Sequence, residues 1–394
     1  MDRAELCSWL RLALTPGIGN IAARRLLAAF GLPEAIFRQS AVALEQVVSP
    51  AQTAALRGTP AELAAQLEIS WHWLQASDEG AGQRRIVVLG DPQYPAALLT
   101  IDDPPLILYL LGRGTFATHG AVTTGVHGSI AIVGSRNPTP QGADNARHFG
   151  KALAEAGLTV VSGLALGIDA AAHEGALLSA SPDPATMATV AVVGTGIDRV
   201  YPRKHLDLAR RIAANGLLLS EYPLGTPPLM ANFPKRNRLI AALAQGTLVV
   251  EAALKSGSLI TARLTAEQGK DVFAIPGSIH SPQARGCHAL IRQGAQLVES
   301  VSDILEELKI GHRSSTAIES IAADACQQRL EANFPTEKSL LGALGFDPVG
   351  LDALQARCGL PTADLQAQLM SLELDGMIKR LPGGLFQRLN SAQD

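Results

Sequence analysis

"LTVVSGLALGIDAAAH", residues 158–173, decides how the chain reads. A short apolar run without alternation meets a Ser-Gly turn, and apolar residues then recur at helical spacing. Such a run is a strand buried on both faces, with the following helix laid over one of them. The same unit recurs in both directions. "IAIVGSR" (130–136), "TVAVVGTG" (189–196), "LLLSEYP" (217–223), "TLVVEA" (247–252) and "DVFAIPG" (271–277) are further runs of this kind. Helix-length segments lie between them at 141–156, 167–180, 203–215, 237–245 and 259–269. "RIVVLG" (85–90) and "PPLILYLLG" (104–112) precede the series. The alternation predicts an α/β domain over roughly 85–308, an extended Rossmann-like, doubly wound and mostly parallel sheet covered on both faces.

Two smaller units flank it. Residues 1–80 read as a helical domain of SAM/helix-hairpin-helix-like type, with "ELCSWLRLALTPGIGNIAARRLLAAFG" broken at Pro16-Gly17-Ile18-Gly19. Its turn amides are either a phosphate contact or the bend of a plain helical hairpin, and only Arg24 and Arg25 accompany it. Residues 309–334 lose the apolar pattern and read as a linker. Over 335–390, three short helices and two strands around Pro382-Gly383-Gly384 give the order of a winged helix. Six acids against five bases there, and no Lys or Arg in helix 362–376, favour partner docking or a structural role over DNA reading.

The totals set limits. A formal net charge of -3 is no polycation, so any nucleic acid must meet a local basic surface. Cys7, Cys287, Cys326 and Cys358 are scattered and form no CxxC pair, which suits free thiols in a reducing compartment. The N-terminus carries no apolar leader and no stretch suits a membrane span, so a cytoplasmic protein is expected. "GTGIDR" and "GLALGID" lack the last glycine of the dinucleotide fingerprint, and GxxxxGK[ST] is absent. No cofactor and no metal are expected.

Ligands of a doubly wound sheet bind beyond the carboxyl ends of its strands. Gly134, Ser135 and Arg136 end one strand there, and Ser162, Gly163 and Gly167 surround the next, at a helix start whose amides attract anions. Asp169 and His173 share one face of that helix and read first as a structural pair. Arg199, Arg203, Lys204 and His205 follow the next strand. "FPKRNRLIAAL" (233–243) then places Arg236, Asn237 and Arg238 in the first turn of a helix after Pro234. Cations there oppose the helix dipole, so an anion or an acidic side chain must compensate. Arg238 has Glu251 as a candidate internal partner. Several fixed cations along one rim suit successive phosphates of a strand.

These blocks resemble a known family. "GSRNPTPQG", "VVSGLALGIDAAAHEGAL", "TVAVVGTGIDRVYP", "LLLSEYPLGTPP", "FPKRNRLIAALAQGTLVVEAALKSGSLITARLTAEQGKDVFAIPGS" and "GCHALIRQGAQLV" follow the order of the DNA-processing protein A (DprA/Smf) family. The resemblance implies a non-enzymatic recombination mediator, usually a homodimer, that binds single-stranded DNA and loads the RecA recombinase during natural transformation. It implies phosphate contacts at Gly134, Ser135, Arg136, Arg203, Arg236, Asn237 and Arg238, with Ser256, Gly257 and Ser258 lining the same pocket. The chain departs from the pattern at Leu166, where the family commonly has Arg, and at His205, where it often has Asn. Two other readings stand beside it. One is a Rossmann-like nucleotide sensor. The other is a phosphoribohydrolase-type enzyme with Glu251 as acid/base, though the PGGxGTxxE run of such enzymes is absent.

Overall fold

The first helices are set by local signals. Asp2 caps α1 (Arg3–Leu14) by accepting from the Glu5 N–H, and Ser49 and Gln52 form a reciprocal capping box on α5 (Pro50–Arg57). Between and after them lie α2 (Asn20–Phe30), α3 (Pro33–Phe37), α4 (Ala41–Glu45) and α6 (Leu63–Gln75). The turn between α1 and α2 is engaged from inside. Gln52 Nε2 donates to the Gly17 carbonyl at 2.8 Å, and Arg24 donates to the Asp102 carbonyl at 3.1 Å. Of its two readings, the helical hairpin accounts for these contacts.

A computed structural model describes residues 1–76, 82–113, 128–180, 187–310, 340–341, 344 and 348–389. Its main sheet contains β1 (Gln83–Val88), β2 (Ile107–Gly112), β3 (Ser129–Val133), β4 (Thr159–Ser162), β5 (Thr189–Val192), β6 (Leu217–Ser220), β7 (Gly246–Val249), β8 (Asp271–Ala274) and β9 (Gln296–Leu297). Their order is β1-β2-β6-β5-β4-β3-β7-β8-β9. From β6 to β9 every pairing is parallel, whereas β2 is antiparallel to both β6 and β1. The chain builds outward from β3 through β6, then returns to start β7 on the other side of β3. The ends of β3 and β7 therefore part, and this is the switch point of the sheet.

Both faces are covered. On one, α7 (Pro140–Glu155) and α8 (Ile168–Leu178) bury Ile130, Val160 and Leu248. Beside them, α9 (Leu206–Asn215) and the N-terminal helices share a core with β1 and β2. On the other face, α10 (Asn232–Leu243), α11 (Ser258–Glu267) and α12 (Arg285–Arg292) bury Val133, Val249 and Ala274. Leu239, Ile240 and Leu243 anchor α10 here, each worth about 1.5–3 kcal/mol of burial. The short α13 (Val301–Glu307) closes the domain.

One expectation needs correction. Helix α10 starts at Asn232, five residues before the expected 237, so Arg236, Asn237 and Arg238 lie in its second turn. Pro234 fits the first turn because the N–H groups there have no helical partner to lose. The dipole argument loses force at that distance from the helix end.

The C-terminal unit is a winged helix. It contains α14 (Leu351–Cys358), α15 (Thr362–Leu374) and a three-stranded sheet ordered β10 (Val349–Gly350), β12 (Leu385–Arg388), β11 (Ile378–Leu381). Leu354, Leu365, Leu369 and Phe386 form its core. Most of the first expected helix, Cys326 and nearly all of the expected linker lie outside the described residues. Among the described residues, no helix is long and apolar enough to cross a membrane.

Candidate nucleic-acid interface

Between the diverging ends of β3 and β7 opens a cleft of about 510 Å³. Backbone bonds fix its β3 side. The Ser135 N–H donates to the Glu251 carbonyl at 2.7 Å, and the Ser135 carbonyl accepts from the Ile168 N–H at 3.1 Å. Its hydroxyl accepts from the Asn137 N–H at 3.1 Å, which leaves the hydroxyl proton for another acceptor. Arg136 is exposed at the mouth, 5.7 Å from the centre of the Phe233 ring. Tyr201 packs on the same Phe233, with ring centres 5.6 Å apart and planes at 37°.

The β7 side is the loop leading into α11. Ser256 Oγ and Ser258 Oγ lie 2.7 Å apart, and Asn237 Nδ2 donates to the Gly257 carbonyl at 3.3 Å, tying α10 to this loop.

Arg236 is the floor, only 4% exposed. Its Nη1 donates to the Val192 carbonyl, and its guanidinium fills the space that a Cβ on Gly163 would need. Any other residue at 163 must push the arginine away. Asp169 sits beneath, held by the N–H groups of Gly163 (3.2 Å) and Ala165 (3.3 Å). Burial pushes the Asp169 carboxyl up, while the Arg236 charge and these N–H bonds pull it down. Burial likewise brings Arg236 down to about 10, against the pull of Asp169, so it is a cation at neutral pH. Its Nε is buried with no hydrogen-bond partner among the described residues. A buried cation with an unmet N–H is suited to an anionic oxygen.

Eight of the thirteen expected residues line this cleft: Gly134, Ser135, Arg136, Arg236, Asn237, Ser256, Gly257 and Ser258. Gly163 and Gly167 stand behind it. Gly167 has φ +79, and a Cβ there would meet the Ser135 carbonyl at 2.4 Å. The other three lie elsewhere. Ser162 is buried in β4 and donates to the Ile132 carbonyl at 2.6 Å. Arg203 is exposed on the turn before α9. Arg238 points away from the cleft into a buried pair with Glu221 and also donates to the Asp103 carbonyl. Alternate residues of a helix diverge by about 200°, so Arg236 and Arg238 could not both face one cleft. Nor does Arg238 pair with Glu251. That carboxylate accepts from the Thr139 N–H (2.9 Å) and hydroxyl at the start of α7, and it does not line the cleft.

Asp169 and His173 do not bond to each other. His173 Nδ1 lies 2.7 Å from Thr189 Oγ1, and burial, then the Arg236 charge, hold it neutral with a pKa of about 3. His205 Nδ1 lies 3.0 Å from the Leu164 carbonyl, so the departure at this position keeps a hydrogen bond to the neighbouring loop.

The chain matches the family model for DNA recombination-mediator protein A over residues 85–309, and that for the DprA winged helix domain over residues 327–384. It belongs to the DprA/Smf family. It is 34% identical to the Smf protein of Synechocystis over 98% of this chain and 100% of that one. With the Smf protein of Escherichia coli it shares 39% identity over 83% and 82%. The crystal structure of DprA from Streptococcus pneumoniae superposes with a TM-score of 0.61 at 32% identity, covering 78% of this chain and 98% of that one.

Sequence reasoning missed part of the DprA/Smf cleft. Lys255 and Met230 also line it, giving three cations, Arg136, Arg236 and Lys255, against the single carboxylate Asp169. Lys255 was legible, since it immediately precedes the SGS triplet on the β7 loop. The Tyr201–Phe233 contact had no local signal, because it joins the loop after β5 to the first turn of α10.

Proposed function

We propose that the protein binds single-stranded DNA by its sugar–phosphate backbone in the cleft between β3 and β7, and passes the strand to the RecA recombinase without catalysing a reaction. One observation carries this reading: a buried, protonated Arg236 with an unmet N–H lies beneath two exposed cations, Arg136 and Lys255. Exposed cations give attraction that weakens with salt, and the buried one gives a fixed point for a phosphate oxygen. The exposed Tyr201 ring, packed on Phe233 beside Arg136, offers a flat apolar face to a base without reading its identity. Membership of a recombination-mediator family supports the same direction. Handover to RecA, a homodimeric assembly and a cytoplasmic setting are the parts of the proposal that rest on the family resemblance.

Two placements weigh against the enzyme reading's acid/base. The Glu251 carboxylate is occupied at the start of α7, and the one carboxylate in the cleft, Asp169, is held by two N–H groups and the Arg236 charge.

The test is fluorescence anisotropy of oligo-dT with wild type and an Arg136→Ala/Lys255→Ala variant, alongside a nucleoside monophosphate competitor. Tight, salt-sensitive oligo-dT binding that the variant loses supports the proposal. Saturable mononucleotide binding with no oligomer binding replaces it with a nucleotide sensor.

A further inference from the structure

Five cations crowd the segment that leaves β5 and forms α9: Arg199, Arg203, Lys204, Arg210 and Arg211. All are exposed, and none forms an ion pair among the described residues. Two carboxylates accompany them. Asp198 accepts from the Gly225 N–H at 2.9 Å, and Asp207, one turn before Arg210 and Arg211, pairs with neither.

Some exposed cations elsewhere are paired one helical turn away, while Arg25, Arg57, Arg285 and Arg292 form no ion pair among the described residues. Arg38 pairs with Glu34 (3.7 Å), Lys151 with Glu155 (3.9 Å) and Arg263 with Glu267 (3.5 Å). An ion pair one turn apart is one way a solvated helix face is laced. What sets the α9 segment apart is density: five such cations fall within residues 199–211, in a chain whose formal net charge is -3.

The positions are ordered. Leu208, Ala209, Ile212 and Ala213 are buried, so residues 207, 210 and 211 share the outer face, in line with Arg203 on the preceding turn. From Arg203 to Arg210 the axis advances about 12 Å. Arg203 is two residues from Tyr201, whose ring packs on Phe233 at the cleft mouth. The row of cations thus continues the cleft outward.

We propose that the outer face of α9 is a second binding stretch for the same nucleic-acid strand: phosphates leaving the cleft pass Tyr201 and are held by Arg203, Lys204, Arg210 and Arg211. The inference rests on the cleft binding single-stranded DNA. A short oligomer fills the cleft alone, and a longer one also engages α9.

The experiment compares full-length wild type with Arg210→Glu/Arg211→Glu, using oligo-dT of about six and about 20 nucleotides. A control, Arg38→Glu/Arg57→Glu on the N-terminal helices, makes the same change in net charge. The α9 variant should bind the long oligomer about tenfold or more weakly, with the salt slope smaller by about 1.4 for two phosphates no longer neutralised. Its affinity for the short oligomer should change less than about twofold, and the control should match wild type for both. Unchanged long-oligomer binding, or an equal loss in the control, overturns the α9 stretch. Arg136→Ala, run in parallel, separates the two claims. If it weakens both oligomers while the α9 variant weakens neither, the cleft stands and only the α9 stretch falls. If wild type binds neither oligomer, the cleft reading itself has failed.

Discussion

The strand-end rim of the sheet and helix α15 of the winged helix are two places where a fold offers itself to nucleic acid, and they are charged in opposite ways. The rim sets Arg136, Arg236 and Lys255 against one carboxylate. Helix α15 carries Asp364 and Glu373 and no cation, with Met370 and Leu374 exposed. Shape alone assigns DNA to both, whereas charge assigns it to the rim. On the proposed reading the phosphate chemistry belongs to the Rossmann-like sheet, and the winged helix in this chain meets a protein.

That contrast can be broken in several ways. The largest effect is expected at the buried floor. Arg236→Ala leaves Asp169 buried without its compensating charge, which should cost about 3–5 kcal/mol of stability in urea unfolding. Adding Asp169→Asn should return part of it. An Arg236→Ala protein as stable as wild type means that the Arg236 charge does not compensate Asp169.

Arg238→Ala should also cost about 3 kcal/mol, since Glu221 is stranded in its place. Oligo-dT affinity of the folded protein should not change. A loss of affinity at constant stability would return Arg238 to the interface.

The exposed cations should behave in the opposite sense. Arg136→Ala/Lys255→Ala should weaken oligo-dT binding by about 3 kcal/mol, while thermal unfolding stays where it was.

A smaller effect concerns pH. Burial lowers the His173 pKa to about 3 from 6.5, so as pH falls the unfolded chain takes up this proton first. The stability linked to His173 is complete above about 6.5 and is lost progressively toward 3, by about 2 kcal/mol between pH 7 and pH 5. Urea midpoints across that range should fall less steeply for His173→Gln than for wild type. Parallel slopes would mean that His173 is not held neutral.

The smallest change sharpens the opening contrast. Ending the chain after residue 310 removes the winged helix and should alter oligo-dT affinity by less than about 0.5 kcal/mol. A large loss would give α15 a share in DNA binding.

How much of this was legible follows from the range of each signal. Strands β3 to β8 are continuous apolar runs bounded by glycine, so their existence and the mostly parallel sheet could be read directly. The antiparallel attachment of β2 to β6 could not, because a buried run looks the same in either direction. The two residues of β9 are too few to show a pattern. Motif residues at strand ends were found because topology places all such ends on one rim. Direction around a helix was harder. "KRNR" gives no sign that Arg236 turns into the cleft and Arg238 away from it, since Asp169 and Glu221 come from helix α8 and from the loop after β6, both distant in sequence. The early start of α10 was hidden by Pro234, which is as acceptable inside a first turn as before it.

The most direct test is the salt dependence of wild-type binding to a fluorescent oligo-dT, set against Arg136→Ala/Lys255→Ala. Phosphates in the cleft should give a linear fall of log affinity with log salt, flatter in the variant by about 1.4 for the two cations removed. Wild-type binding with the same slope and affinity as the variant would put the strand somewhere other than between β3 and β7.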